Sequence, residues 1–151
     1  TVRCMIIGDG PERARIEGEI TALGLAGRVA ITGFQMDVRP YVGACDVMVL
    51  PSHHTETFSL SALESMALGK PVVMTRTGGA SEQVEPGRNG YLFAPGAIGE
   101  LQAHLQALAD ESVRRPLGIA AAQRVREHFR VDTMLDEYAT LFESICRRMP
   151  A

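Results

Sequence analysis

Lysine is almost missing from this chain: Lys70 is the only one in 151 residues, and arginine carries the rest of the basic charge. With 15 basic against 18 acidic side chains the formal net charge is −3, so there is no basic footprint for a nucleic-acid backbone. Long apolar runs are missing too. None approaches the roughly 18 residues of a membrane span, and the opening TVRCMII stops at GDGP, so neither a transmembrane segment nor a secretory leader is expected. Cysteine is scarce: Cys4, Cys45 and Cys146 are odd in number and far apart. That spacing is neither a disulfide framework nor a metal site, and it reads as reduced thiols of a cytoplasmic protein. Internal repeats, low-complexity tracts and an obvious linker are absent. So are two phosphate motifs. No G-x-G-x-x-G follows any strand candidate, and the sole lysine stands in GKP at a helix end, not in a P-loop.

What is there is a soluble α/β pattern. Hydrophobic residues make up 46% of the chain and its length suits one ordinary domain. Short β-branched runs recur at 3–8 (RCMIIG), 29–32 (VAIT), 47–51 (VMVLP), 71–75 (PVVMT) and 90–93 (GYLF). They do not alternate polar with apolar, so they read as strands of a parallel sheet buried on both faces. Helical stretches fall between them at 11–25, about 37–45 and about 59–69. Strand and helix in alternation mean a doubly wound parallel sheet, a Rossmann-like α/β fold. From residue 97 onward only helices are expected: one with Leu101, Leu105 and Leu108 on a face, and one over 112–128 with Pro116 near its first turn. The last carries a stripe of Met134, Leu135, Tyr138, Leu141, Phe142, Ile145, Cys146 and Met149 at helical spacing. That stripe is expected to pack against the parent sheet or a neighbouring domain.

In open α/β sheets ligands sit beyond the carboxyl ends of the strands, and helix N-termini there offer unpaired amides to phosphate. Three strand–turn–helix segments fit: IIGDGPER, with Pro11 at a first helical position; VLPSHHTETFSLSALE, with a helix opening near Ser59; and VMTRTGGASE, with a short helix holding Glu82. In the second, Glu56 precedes the helix and Glu64 lies about one and a half turns inside it. Both can face one cleft, with the amides of Thr57, Phe58, Ser59 and Leu60 between them. A ligand with phosphate in its middle and hydroxyls at both ends suits this, because carboxylates accept from sugar hydroxyls and amides hold phosphate. A nucleotide-sugar is such a ligand. On spacing alone, a helix-start acid and a solvated helix acid explain the pair equally well.

The stretch PSHHTETFSLSALESMALGKPVV resembles the donor-binding signature of GT-B retaining glycosyltransferases of family 4, often called group 1. Further pieces occur in that family's order: IIGDGPER, VAITGF, YVGACDVMVLPS, GGASEQV and GRNGYLF. The resemblance implies that residues 1–151 form the C-terminal, nucleotide-sugar-binding domain of a transferase that moves a sugar to an acceptor with retention. It implies Glu56 beside the donor sugar as a stabilising, orienting group, Glu64 on the ribose hydroxyls, and Thr57, Phe58, Ser59 and Leu60 around the diphosphate. Gly78 and Gly79 fit donor contact or a turn needing positive φ; Gly33 and Phe34 are candidates to line the base. No cofactor and no metal are implied, the nucleotide-sugar being a substrate; His53 and His54 are read as incidental. A sugar epimerase or phosphorylase of the same fold, or a non-catalytic nucleotide-binding module, is the alternative.

Two features depart from the family pattern. Ser59 stands where Gly is common, which would either narrow the turn or cap the helix. The N-terminal acceptor domain, which would bring a glycan or lipid-linked acceptor and any peripheral membrane contact, and the βα unit carrying a phosphate-gripping Arg and Lys are both missing. The expectation is therefore of a fragment inactive by itself, whose sheet either closes up directly or is completed by residues outside this chain.

Overall fold

The computed structural model describes residues 2–53 and 56–148; His54, Thr55 and Met149 lie outside these, so the expectations placed on His54 and Met149 do too. The five apolar runs form strands β1 (Cys4–Ile6), β2 (Val29–Ile31), β3 (Met48–Leu50), β4 (Val72–Thr75) and β5 (Gly90–Phe93). Helices α1 (Arg13–Ala22), α2 (Arg39–Ala44), α3 (Leu60–Ala67) and α4 (Ala80–Gln83) alternate with them. Helices α5 (Ile98–Leu108), α6 (Glu111–His128) and α7 (Val131–Arg148) follow β5. Every strand pair is parallel. No helix among the described residues is long and apolar enough to cross a membrane.

The strands do not join into one sheet. They form two, ordered β1–β2 and β3–β4–β5, and the chain divides into two compact units, Thr1–Ala44 and Cys45–Ala151. The direct closure of the sheet is corrected accordingly. Among the described residues no strand pairs with the outer edge of β3, whose backbone groups stay open on that side.

The first unit is thinly packed: α1 buries no residue, and Val42 is its one buried apolar side chain. A two-stranded sheet with so little cover is marginal in isolation. Its GDGP turn is engaged internally. Asp9 accepts the Gly10 N–H at 2.9 Å and meets Arg13 at 2.8 Å, while Arg13 Nε donates to Glu17 at 2.9 Å. The Gly10 N–H, and then Arg13, hold the Asp9 carboxyl below its ordinary pKa. Helix α1 starts at Arg13 after Glu12, so Pro11 belongs to the preceding turn rather than to the helix.

In the second unit β4 is the central strand and is buried along its whole length. Val72 and Met74 pack with Ala62 and Met66 of α3, Val84, Leu92 and Ala121. Val73, on the opposite face, packs with Phe93, Leu108 and Leu117. This two-sided cover is why the run does not alternate polar with apolar. Truncating Met66, which is 0% exposed, to alanine should cost about 2–5 kcal/mol. Chemical denaturation checks this, and a loss well under 1 kcal/mol would mean that the core on this face is not closed.

Helix α3 ends where the sequence says stop. Gly69 takes φ +73°, and the Gly69 and Lys70 amides return to the carbonyls of Met66 and Ser65 at 2.9 and 3.0 Å. This is a Schellman closure, which needs a left-handed residue that glycine alone adopts cheaply. Lys70 accordingly sits at the helix C-terminus. Asp110 caps α6 by accepting the Ser112 N–H at 2.8 Å, so the helix begins at Glu111 and Pro116 lies in its second turn, not its first. In α5, Leu108 is buried and Leu101 half-buried, but Leu105 is 38% exposed. The buried face runs through His104 instead, whose ring stacks on Tyr91 at 4.5 Å.

The apolar stripe of α7 forms as expected but stays uncovered. Met134, Leu135, Tyr138, Leu141, Phe142 and Ile145 are all exposed, so packing onto the parent sheet is corrected. Helical period specifies that a stripe exists, not what it meets.

Candidate functional site

Strands β3 and β4 are parallel neighbours, so the loops leaving their carboxyl ends run side by side, as ligand-holding loops do in open α/β sheets. The contact between the loops is backbone on backbone. Gly79 N–H donates to the Thr57 carbonyl at 3.0 Å. At Gly78, φ is +49° and a Cβ would lie 1.8 Å from the Glu56 carbonyl oxygen; at Gly79 it would lie 2.5 Å from the Thr57 carbonyl oxygen. Neither position has room for a side chain. The turn needing positive φ is found at Gly78 but not at Gly79, whose φ is −77°; both glycines let the β4–α4 loop press directly against Glu56 and Thr57.

Ser59 takes the capping role. With φ −83° and ψ 109° it is the N-cap of α3, and its hydroxyl accepts the Ala62 N–H at 3.3 Å. It is only 5% exposed, and its own N–H donates to Gln83 Oε1 at 3.1 Å. The Ser59 amide is thus used inside the protein, unlike its neighbours. Among the described residues the N–H groups of Thr57, Phe58 and Leu60 meet no acceptor. They sit at a helix start, where the partial positive charge of the helix favours an anion.

The two carboxylates lie on either side of this turn in the chain. Glu56 is half-buried just before it, and Glu64 is exposed in α3. Neither accepts a hydrogen bond or forms an ion pair among the described residues. Phe58 is 38% exposed and sets its ring edge-on to Phe129 at 5.5 Å; Leu60 is 71% exposed. The Thr77 hydroxyl, beside Gly78, is buried with no partner among the described residues, a free polar group of the kind that ligands satisfy. His53 is exposed. Gly33 and Phe34 belong to the first unit, where Gly33 is buried and Phe34 is 79% exposed.

Sequence reasoning missed the groups behind the turn. Gln83 is wholly buried and holds both backbone groups of Ser59, its Nε2 donating to the Ser59 carbonyl at 2.9 Å. Arg124 Nε donates to the Gln83 carbonyl at 3.0 Å and Arg124 also pairs with Glu85. The hydrogen bond from Arg88, then the charge of Arg124, holds the Glu85 carboxyl below its ordinary pKa despite partial desolvation. No local signal marks it: Gln83 follows the polar Ser81 and Glu82, and only the fold buries it against Ser59.

Two adjacent parallel strands here bring together, at their carboxyl ends, a helix start with unpaired amides and a segment carrying two unpaired carboxylates, the place where open α/β sheets hold ligands. Residues 1–124 match the sequence model of the family described as glycosyl transferases group 1. N-acetyl-alpha-D-glucosaminyl L-malate synthase of Bacillus anthracis is 34% identical over 146 residues, which cover 96% of this chain and 38% of that protein. The lipopolysaccharide core biosynthesis glycosyltransferase LpsE of Rhizobium meliloti is 37% identical over 140 residues, 92% of this chain and 41% of that protein. The crystal structure of Anabaena Alr3699/HepE in complex with UDP has a TM-score of 0.87 at 32% identity, over 95% of this chain and 41% of that one. The chain belongs to the group 1 glycosyl transferases, and its fold is that of a GT-B domain. It spans about two-fifths of the length of these relatives.

Proposed function

We propose that this chain is the donor-binding part of a longer enzyme that moves a sugar from a nucleoside-diphosphate sugar to an acceptor with retention of configuration. The observation that carries the reading is the turn at Thr57–Leu60. It offers free amides at a helix start, one unpaired carboxylate before it and another inside the helix. The presence of UDP in the Anabaena structure supports it. As the bond to the sugar breaks, charge builds on the leaving diphosphate, and donors already aimed at that charge lower the barrier. Thr57, Phe58 and Leu60 supply those donors, and Ser59 orders them as the cap. Glu64 accepts from ribose hydroxyls, Glu56 orients the donor sugar and stabilises its developing positive charge, and Gly78 and Gly79 bring the β4–α4 loop to the sugar end, against the segment that carries Glu56.

A glycan or lipid-linked acceptor is brought by an N-terminal domain outside these residues, and this chain alone does not transfer sugar. No metal or other cofactor is assigned a role. The compartment is the cytosol, where the thiols of Cys4, Cys45 and Cys146 stay reduced. A thermal-shift panel of UDP-, GDP- and ADP-sugars tests the reading directly. A rise in melting temperature with one of them supports it, because a ligand that binds only the folded state stabilises it; an unchanged midpoint with all three points to a non-catalytic module. Glu64→Ala should weaken nucleotide binding by about 1.5–3 kcal/mol, the worth of a charged hydrogen bond. Unchanged affinity in a titration, with the fold intact, removes Glu64 from the site.

A further inference from the structure

The turn that meets the phosphates in the proposed donor site is held from behind by one side chain. Gln83 is the last residue of α4 and is 0% exposed. Its carboxamide binds a single residue at two points: Oε1 accepts the Ser59 N–H at 3.1 Å and Nε2 donates to the Ser59 carbonyl at 2.9 Å. A two-point hold of this kind sets both the position and the plane of the peptide groups it grips, much as a neighbouring strand does. Gln83 is itself held. Its own carbonyl accepts from Asn89 Nδ2 and from Arg124 Nε, both at 3.0 Å. Asn89 Oδ1 also accepts the Glu85 N–H at 2.7 Å, and Arg124 donates to the Glu82 carbonyl at 2.6 Å. The guanidinium of Arg124 lies 5.7 Å from the centre of the Phe129 ring, and that ring meets Phe58 within the turn.

We infer that Gln83 is a positioning residue for diphosphate recognition, the carboxamide through which α4, Asn89 and Arg124 fix the turn at Thr57–Leu60. The inference rests on the donor-site reading above. Gln83 is itself buried; it occupies the Ser59 N–H, while the amides on either side, those of Phe58 and Leu60, have no acceptor among the described residues. A preformed set of donors costs no reorganisation when the anion arrives. A side chain of the same length without the amide would strand two buried backbone groups, which is costly enough to drive the turn toward other partners. Asparagine would be one methylene too short to reach both groups.

The test uses the full 151-residue chain with Gln83→Met, which keeps length and removes both bonds, and Gln83→Glu, which keeps an acceptor for the Ser59 N–H. Amide hydrogen exchange is read at residues 57–60. UDP, GDP and ADP are each titrated beside the matching nucleoside without phosphate. In the methionine variant the Ser59 amide should lose protection. Affinity for the preferred nucleoside diphosphate should fall about tenfold while nucleoside affinity holds, since tenfold corresponds to about one net hydrogen bond. The glutamate variant should keep Ser59 protection and lose less affinity; it carries the measurement if the methionine variant does not fold. Equal loss for nucleotide and nucleoside, or unchanged nucleotide affinity despite lost protection, overturns the inference and leaves the donor site standing. A wild-type chain that prefers none of the three diphosphates over its nucleoside overturns the donor-site reading, and this inference with it.

Discussion

Gly78→Ala, placed in a complete enzyme that carries this chain, is expected to cut turnover by about a hundredfold or more. The reason is geometric and does not depend on the side chain's chemistry. Gly78 has φ +49°, and an added Cβ would lie 1.8 Å from the Glu56 carbonyl oxygen and 2.9 Å from its carbonyl carbon. Both atoms are backbone, so no rotamer change relieves the clash, and one of the two loops must move. A left-handed conformation also costs an alanine about 1–2 kcal/mol. A shift of about 1 Å in a reacting group is enough for a hundredfold loss, and the segment displaced is the one that carries Glu56. The measurement is kcat at saturating donor, beside a thermal melt to show that the variant is folded. Turnover within twofold of the parent enzyme would mean that the contact between the loops does not set the position of Glu56.

The second large effect is expected at Glu56 itself. Glu56→Gln keeps the size and one acceptor oxygen but removes the charge. If the carboxylate acts on positive charge developing at the donor sugar, its loss is felt in the transition state more than in the bound donor. Turnover should then fall by about 10²–10³, the range seen when one preorganised electrostatic group is removed, while donor affinity changes much less. The pair of measurements is kcat and the equilibrium affinity for the donor. A change confined to affinity would reassign Glu56 to simple binding, and Glu64→Ala, whose effect belongs in the affinity, provides the contrast.

Much of the site was legible because its signals are local. A Ser at this strand–helix junction could narrow the turn or cap the helix, and Ser59 caps α3. The ALGKP stretch reads as a helix stop with its lysine at the end, and Gly69 and Lys70 close the helix that way. The Gly-Gly pair could be read as a turn, but not as the point where one loop presses on another, because the partner atoms belong to residues 56 and 57. Gln83 escaped for the same reason. Its partner Ser59 lies 24 positions away, and nothing in SEQV distinguishes a buried amide with two bonds from an exposed one. Arg124, 41 positions from the carbonyl it holds, was further from view still.

By itself the sequence determined the class of each element and the order in which they come. Strands declare themselves by β-branched runs without alternation, although the burial on both faces expected of all five is complete only for β4, while β1 and β2 each expose a residue; helices declare themselves by their period and their caps. Both depend on residues within a turn or two of one another. It also determined which loop would carry the two carboxylates, since strand, turn and helix are contiguous there. What only the tertiary structure decided are the choices that depend on partners distant in the chain. Pairing stops after β1–β2 and resumes at β3–β4–β5, because a ladder needs a neighbour and no local pattern names one. The apolar face of α7 is left uncovered, because amphipathicity fixes a direction and not an occupant. The Ser59 amide is taken by Gln83 while those of Phe58 and Leu60 meet no acceptor among the described residues, because a buried backbone group pairs with whichever side chain the fold brings within hydrogen-bond reach.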